Sequence, residues 1–75
     1  MDQTYLSRYK TLGLNIAYYR KKKGLTQEEL AERVAVDRST ISKTEIAFAG
    51  TRLDVIFKIA DILEIEPYKL LVERD

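Results

Sequence analysis

The chain has 75 residues, the length of one small domain, and it contains neither cysteine nor histidine. Disulfides and zinc sites built from those side chains are therefore excluded. No apolar run approaches the ~20 residues of a membrane-spanning helix, and the N-terminus lacks the basic start and apolar stretch of a signal peptide. We expect one soluble, cytoplasmic domain over residues 1–75, with no metal, cofactor or membrane partner.

The charge is small in sum but uneven along the chain. A net charge of +1 does not by itself indicate a nucleic-acid partner. Basic residues cluster at Arg20–Lys23 and return at Arg38 and Lys43, whereas acidic residues concentrate at positions 28–32 and in the stretch 61–75. A chain of this kind can still present one basic face.

The first 23 residues have the periodicity of an amphipathic helix. Their apolar side chains recur at spacings of three and four, at Leu6, Tyr9, Leu12, Ile16 and Tyr19. Gly13 interrupts this helix, and we expect it to allow the close approach of another helix. Gly24 follows a basic last turn and predicts the C-terminal cap.

Two short helices come next, separated by three residues. Thr26 and Glu29 have the spacing of a capping box, and the helix that they begin ends near Val34. Asp37 is a good N-cap for a third helix, which we expect over Arg38 to about Phe48.

The last third of the chain predicts two more helices. Thr51 and Asp54 have the spacing of another capping box, and a fourth helix follows with an apolar face. Pro67 suits the first position of a short fifth helix. No segment alternates with period two, so the sequence predicts an all-α fold of five helices.

Helices two and three have the outline of a helix-turn-helix. Small Ala31 allows the two helices to cross, and Ile41 points inward, so the opposite face of the third helix is left exposed. Such a helix can enter a DNA major groove and meet base edges. The outward face carries Arg38, Ser39, Ser42 and Lys43.

Several spaced elements resemble the Cro/C1-type (XRE) helix-turn-helix family. The segment Gly24–Glu32, GLTQEELAE, is similar to the family signature, and Asp37–Glu45 is similar to its recognition helix. Leu12-Gly13-x-x-Ile16-x-x-x-Arg20 and Lys58-Ile59-Ala60-x-x-Leu63 fit its first and fourth helices. The resemblance covers roughly residues 12–71. The N-terminal extension and small size also resemble controller proteins of restriction–modification systems.

The resemblance implies a compact, lambda-repressor-like DNA-binding domain with its helix-turn-helix at about residues 27–48. It also implies roles for individual residues. Base contacts fall to Arg38, Ser39, Ser42 and Lys43. Phosphate contacts are expected from Gln27, Thr40, Lys23 and Arg52, with a thymine methyl as the alternative contact for Thr40. Arg20 and Glu45 match the family's structural ion pair.

Two departures from the family pattern stand out. The turn usually has glycine where this chain has Ala35, which predicts strain or a different turn. The polar, basic loop that usually follows the recognition helix is replaced by the apolar segment Ile46–Gly50. This segment either extends the third helix or makes an apolar contact.

The sequence therefore predicts a non-enzymatic, sequence-specific regulator that binds double-stranded DNA. One recognition helix covers only a few base pairs, so we expect a homodimer, joined through helices four and five, on a palindromic operator. Four apolar residues either complete a small core or form the patch that joins two subunits, and we favour the second: Tyr18, Tyr68, Leu71 and Val72. The alternative is an antitoxin or other protein-interaction module with an unknown protein partner, which the Ile46–Gly50 segment and the low net charge favour.

Overall fold

The computed structural model of the protein describes residues 3–48 and 50–74, and over these residues every regular element is helical. A 3₁₀ turn, Gln3–Tyr5, precedes four α-helices. These are α1 Leu6–Lys22, α2 Gln27–Val34, α3 Arg38–Glu45 and α4 Leu53–Leu63, and a 3₁₀ segment, Pro67–Leu70, follows them.

The all-α prediction is confirmed, but the prediction of a fifth α-helix is wrong. The segment Pro67–Leu70 closes with bonds between residues three apart, from the Lys69 N–H to the Glu66 carbonyl at 3.0 Å and from the Leu71 N–H to the Tyr68 carbonyl at 2.9 Å. It does not extend into an α-helix because the carbonyls of Leu70 and Val72 are taken by a side chain of α1.

Two helix ends also differ from the predicted ones. The third helix ends at Glu45 rather than Phe48, because Ala47 adopts φ 58° and the Phe48 N–H bonds back to the Lys43 carbonyl at 2.9 Å. The first α-helix begins at Leu6, after the 3₁₀ turn. The predicted helix start at residues 1–2 and Ala49 of the loop lie outside the described residues.

Each α-helix ends in a left-handed residue, and three of these four residues are not glycine. The φ angles are 80° at Gly24, 67° at Ala35, 58° at Ala47 and 59° at Glu64. In each case the next N–H bonds to the carbonyl five residues earlier, as in a Schellman motif. Ala35 thus keeps the turn that the family builds with glycine, at the steric cost of a β-carbon in this region.

The predicted capping box of α2 is confirmed, and the one predicted for α4 is wrong. Thr26 Oγ1 accepts from the Glu29 N–H at 3.0 Å, and Glu29 Oε1 accepts from the Thr26 N–H at 2.9 Å. This backbone donor lowers the pKa of the Glu29 carboxyl. At α4 the N-cap is Arg52, and the Thr51 hydroxyl instead pairs with the Thr44 hydroxyl at 2.9 Å.

The core draws on all four α-helices and the C-terminal segment. Its fully buried side chains are Ile16, Leu30, Val34, Ile41, Ile59 and Leu70. Helix α3 packs against α1 on one side and α2 on the other. Gly13 lies where α1 meets the end of α3, and a β-carbon there would come within 2.4 Å of the Glu45 carbonyl oxygen. The predicted use of this glycine, close helix approach, is confirmed.

A buried amide attaches the C-terminal segment to α1. Asn15 Nδ2 donates to the carbonyls of Leu70 at 3.0 Å and Val72 at 2.8 Å, and its Oδ1 accepts from Arg74 Nε at 2.8 Å. The Arg74 guanidinium also lies 3.9 Å from the centre of the Tyr18 ring. These contacts hold residues 70–74 in place without helical hydrogen bonds.

Candidate nucleic-acid interface

The outward face of α3 is polar, and most of its side chains form no hydrogen bond within the described residues. Ile41 is fully buried, and residues two positions before and after it, Ser39 and Lys43, lie on the opposite side of the helix. The side chains of Arg38, Ser39 and Ser42 form no hydrogen bond within the described part of the chain. Their polar atoms are therefore available to an external ligand.

One shallow depression joins the beginnings of α2 and α3. Gln27 and Arg38 line it together with the carboxylates of Glu28, Glu29 and Glu32. Gln27 is already engaged, because its Nε2 donates to Glu45 Oε1 at 2.9 Å. The three carboxylates favour a cation such as Arg38 here and oppose a phosphate.

A second depression lies beside α3, toward its C-terminal end. Thr40, Lys43 and Arg52 line this hollow of about 270 Å³ with Thr51 and Gly50. The Arg52 side chain is 83% exposed and pairs with the Asp54 carboxylate at 3.1 Å. The structure therefore brings Lys43 and Arg52 to one surface, although they are nine positions apart.

Lys23 does not join this group. It forms an ion pair with Glu64, the C-cap of α4, and the lysine lowers the pKa of that carboxyl. Helix α4 has 11 residues, so its two ends are separated by about 16 Å. Lys23 thus lies at the opposite end of α4 from Arg52.

A buried ion pair connects α1 to the end of α3. Arg20 Nε donates to Glu45 Oε2 at 2.7 Å, and Arg20 Nη2 donates to Oε1 at 3.2 Å. Arg20 Nη1 also donates to the Leu25 carbonyl at 2.8 Å. The side chains are only 10% and 6% exposed. This pair, with the Gln27 bond, determines where the C-terminal end of α3 lies.

Residues 16–70 match the helix-turn-helix family, more than two thirds of the chain. The chain belongs to the Cro/C1-type helix-turn-helix family. A curated relative, the HTH-type transcriptional regulator SinR of Bacillus licheniformis, is 32% identical over 65 residues, which are 85% of this chain. The chain spans 59% of the length of that relative.

Two solved structures extend this comparison. The restriction–modification controller protein C.AhdI of Aeromonas hydrophila is similar with a TM-score of 0.82 and 34% identity, over 85% of this chain and 97% of that one. SinR, the master regulator for biofilm formation, in complex with DNA is similar with a TM-score of 0.77 and 31% identity, over 81% and 98% of the two chains.

Two kinds of feature are absent from residues 3–48 and 50–74 of this helix-turn-helix protein. None of the helices there is long and apolar enough to cross a membrane. The same residues hold no cluster of three or more histidine, cysteine, aspartate or glutamate side chains that could bind a metal ion.

Two features of the interface were not anticipated from the sequence. Lys43 Nζ lies 5.6 Å from the centre of the Phe48 ring, a cation–π distance. Thr44 donates to the Thr40 carbonyl at 2.7 Å and pairs with Thr51. The apolar residues after Glu45 indicated that some contact forms near the end of α3. The contact between Lys43 and Phe48, five positions apart, also requires the left-handed turn at Ala47, which the sequence did not indicate.

Proposed function

We propose that this protein is a sequence-specific regulator of transcription that binds double-stranded DNA in the cytoplasm and has no enzymatic activity. The observation that carries the proposal is the outward face of α3, where the side chains of Arg38, Ser39 and Ser42 form no hydrogen bond within the described chain. The similarity to SinR in complex with DNA supports it. The family's fold presents such a helix to the major groove.

We assign base contacts to Arg38, Ser39, Ser42 and Lys43. Arg38 is the guanine reader, because its fork can donate two parallel hydrogen bonds to O6 and N7. The surface shared by Thr40, Lys43 and Arg52 supports phosphate contacts by Thr40 and Arg52. Gln27 keeps one side-chain N–H for a phosphate, although the neighbouring carboxylates of Glu28, Glu29 and Glu32 disfavour an anion there. Lys23 is also a weak phosphate candidate, because Glu64 holds its ammonium group.

We expect Arg38→Ala to weaken binding to the operator by about 1–3 kcal/mol and to relax preference at one base pair per half-site. Arg33→Ala, which removes an exposed cation on α2, is the matched control and should leave the preference unchanged. Titrations against operator and scrambled duplexes measure both effects. An equal loss on the two duplexes would contradict a base contact by Arg38.

We further propose that the protein is a homodimer on a palindromic site. An apolar groove of about 560 Å³ runs between the start of α1, α4 and the C-terminal 3₁₀ segment. Its exposed hydrophobic walls are Tyr5, Leu53, Phe57, Tyr68 and Leu71. A second copy covering this groove would supply a second recognition helix, and a palindromic site requires the two helices to lie about one DNA turn, ~34 Å, apart.

Leu71→Glu should convert the dimer to a monomer, because it places a charge on the wall of the apolar groove. Leu71 is 67% exposed within one chain, so the fold itself should not change. Leu14→Glu is the matched control, since Leu14 is 61% exposed but outside the groove. Sedimentation equilibrium distinguishes 8.7 kDa from twice that mass; a dimeric Leu71→Glu variant would contradict this interface.

The proposed function is tested by selecting ligands from a randomised duplex pool at ~150 mM salt. A sequence with two half-sites is the expected result. Affinity for it should fall with a log–log salt slope near −0.9 per neutralised phosphate. If no duplex binds at any salt concentration, the fold serves instead as a protein-interaction module. The exposed Ile46 and Phe48 would then be the first place to look for the partner's contact.

A further inference from the structure

The outward face of α3 does not stop at the last helical residue. The N–H of Ile46, the C-cap, still bonds to the Ser42 carbonyl at 3.2 Å, the spacing of an α-helical bond, although its own φ of −100° and ψ of 9° leave the helical region. It lies three positions after Lys43 and seven after Ser39, the spacings that place side chains on one helix face. Ile46 is 67% exposed. An isoleucine therefore extends the polar face that we assign to DNA.

Phe48 lies beside this extension and is held in a defined place. Its N–H bonds to the Lys43 carbonyl at 2.9 Å, and the preceding Ala47 is buried, which fastens the turn to the core. The ring is 66% exposed and lies under the Lys43 ammonium group. We refer to Ile46 and Phe48 together as the apolar tip of α3.

The position of the apolar tip decides what kind of partner suits it. A protein partner that covered Phe48 with apolar surface would also bury the Lys43 ammonium group, and burying an unpaired charge is unfavourable. DNA has no such penalty, because its phosphates and base edges accept hydrogen bonds from the ammonium group. In the major groove the apolar group next to those acceptors is the C5-methyl of thymine.

We propose that Ile46 and Phe48 read thymine methyl groups in the major groove, next to the base pair contacted by Lys43. This inference rests on the proposed function and adds a source of specificity to it. The loop after the recognition helix, which contacts phosphate in the family, is here part of the base-reading surface. The apolar tip would give preference for T·A pairs without any hydrogen bond to them.

The test replaces thymine by deoxyuridine, one position at a time, in the operator obtained by selection. This change removes the methyl group and leaves every hydrogen-bonding atom in place. With the unaltered protein, one or two positions per half-site should each lose about fourfold in affinity, the effect expected for exposing one buried methyl group. The same duplexes are then titrated with Ile46→Ala, Phe48→Ala and Leu14→Ala.

The expected result is loss of the deoxyuridine effect in a position-specific manner. Each variant, Ile46→Ala or Phe48→Ala, should bind the thymine and deoxyuridine duplexes with equal affinity at the position that the replaced side chain contacts. At the other position the difference in affinity between the two duplexes should remain. Leu14→Ala, an equally exposed apolar residue on α1, should keep both effects. All three side chains are largely exposed, so melting temperatures should not change.

Three results would overturn the inference, and they are distinguishable. If the unaltered protein binds no duplex, the proposed function fails and the inference fails with it. If the protein binds its operator but the deoxyuridine effects persist unchanged in Ile46→Ala and Phe48→Ala, only the role of the apolar tip is refuted. Loss of a protein–protein contact in those variants, with unchanged DNA affinity, would refute it equally.

Discussion

Gly13→Ala should lower the free energy of unfolding by about 3 kcal/mol, although alanine is the better helix former. A β-carbon at this position would lie 2.4 Å from the carbonyl oxygen of Glu45 and 2.6 Å from that of Thr44. Both are backbone atoms, so no side chain can turn aside to make room. Helices α1 and α3 would have to move apart at the point where they lie closest.

Urea denaturation monitored by circular dichroism measures this effect. Intrinsic helix propensity alone predicts a gain of about 1 kcal/mol for the same change, so the two explanations differ in sign. Gly50→Ala is the matched control, because its nearest contact would be the Tyr9 hydroxyl at an ordinary 3.6 Å. A stabilised Gly13→Ala variant would show that the helices do not pack as described.

Glu45→Ala should destabilise the fold by about 3–5 kcal/mol, the cost of breaking a buried ion pair by removing one partner. The Glu45 carboxylate accepts from Arg20 at 2.7 Å and from Gln27 at 2.9 Å. Removing it leaves a guanidinium group that is only 10% exposed without its counter-charge. Because Glu45 faces away from the outward surface of α3, its loss should not change which DNA sequence is preferred.

Thermal denaturation tests the first part, with a decrease of at least 10 °C expected for a chain of this size. The control is Arg52→Ala, which removes one partner of an exposed ion pair and should cost at most about 1 kcal/mol. Repeating the DNA selection with Glu45→Ala below its melting temperature tests the second part. An unchanged melting temperature, or an altered operator, would contradict a purely structural role.

These two expected results concern the same junction. Gly13 allows α1 to approach the end of α3, and Arg20 holds that end through Glu45. Both contacts orient α3 relative to the rest of the domain. Because α3 carries the proposed base-reading residues, weakening the junction should reduce DNA affinity even where the interface itself is unaltered.

The candidate interface was predictable to the extent that it depends on helical periodicity. With Ile41 buried, a spacing of 100° per residue places Ser39 and Lys43 outward, whatever the rest of the chain does. The pairing of Gln27 with Glu45 and of Lys23 with Glu64 could not be predicted in this way. Both depend on distances between elements that are 18 and 41 positions apart in the chain.

The sequence by itself determined the features that arise within one helix or one turn. The helical class, the capping box at Thr26 and the inward and outward faces of α3 all follow from local spacing. Neighbouring residues in a helix are related by fixed geometry, so their pattern can be interpreted without knowledge of distant parts.

Only the tertiary structure decided where helices end and which polar groups are already engaged. Ala47 adopts a left-handed conformation that its β-carbon disfavours. The burial of its side chain where the end of α3 packs on the core offsets this cost. The C-terminal segment remains a 3₁₀ turn because Asn15 captures its carbonyls across 55 and 57 positions. In both cases contacts with distant residues outweigh the local preference of the chain, and these contacts exist only once the helices have packed.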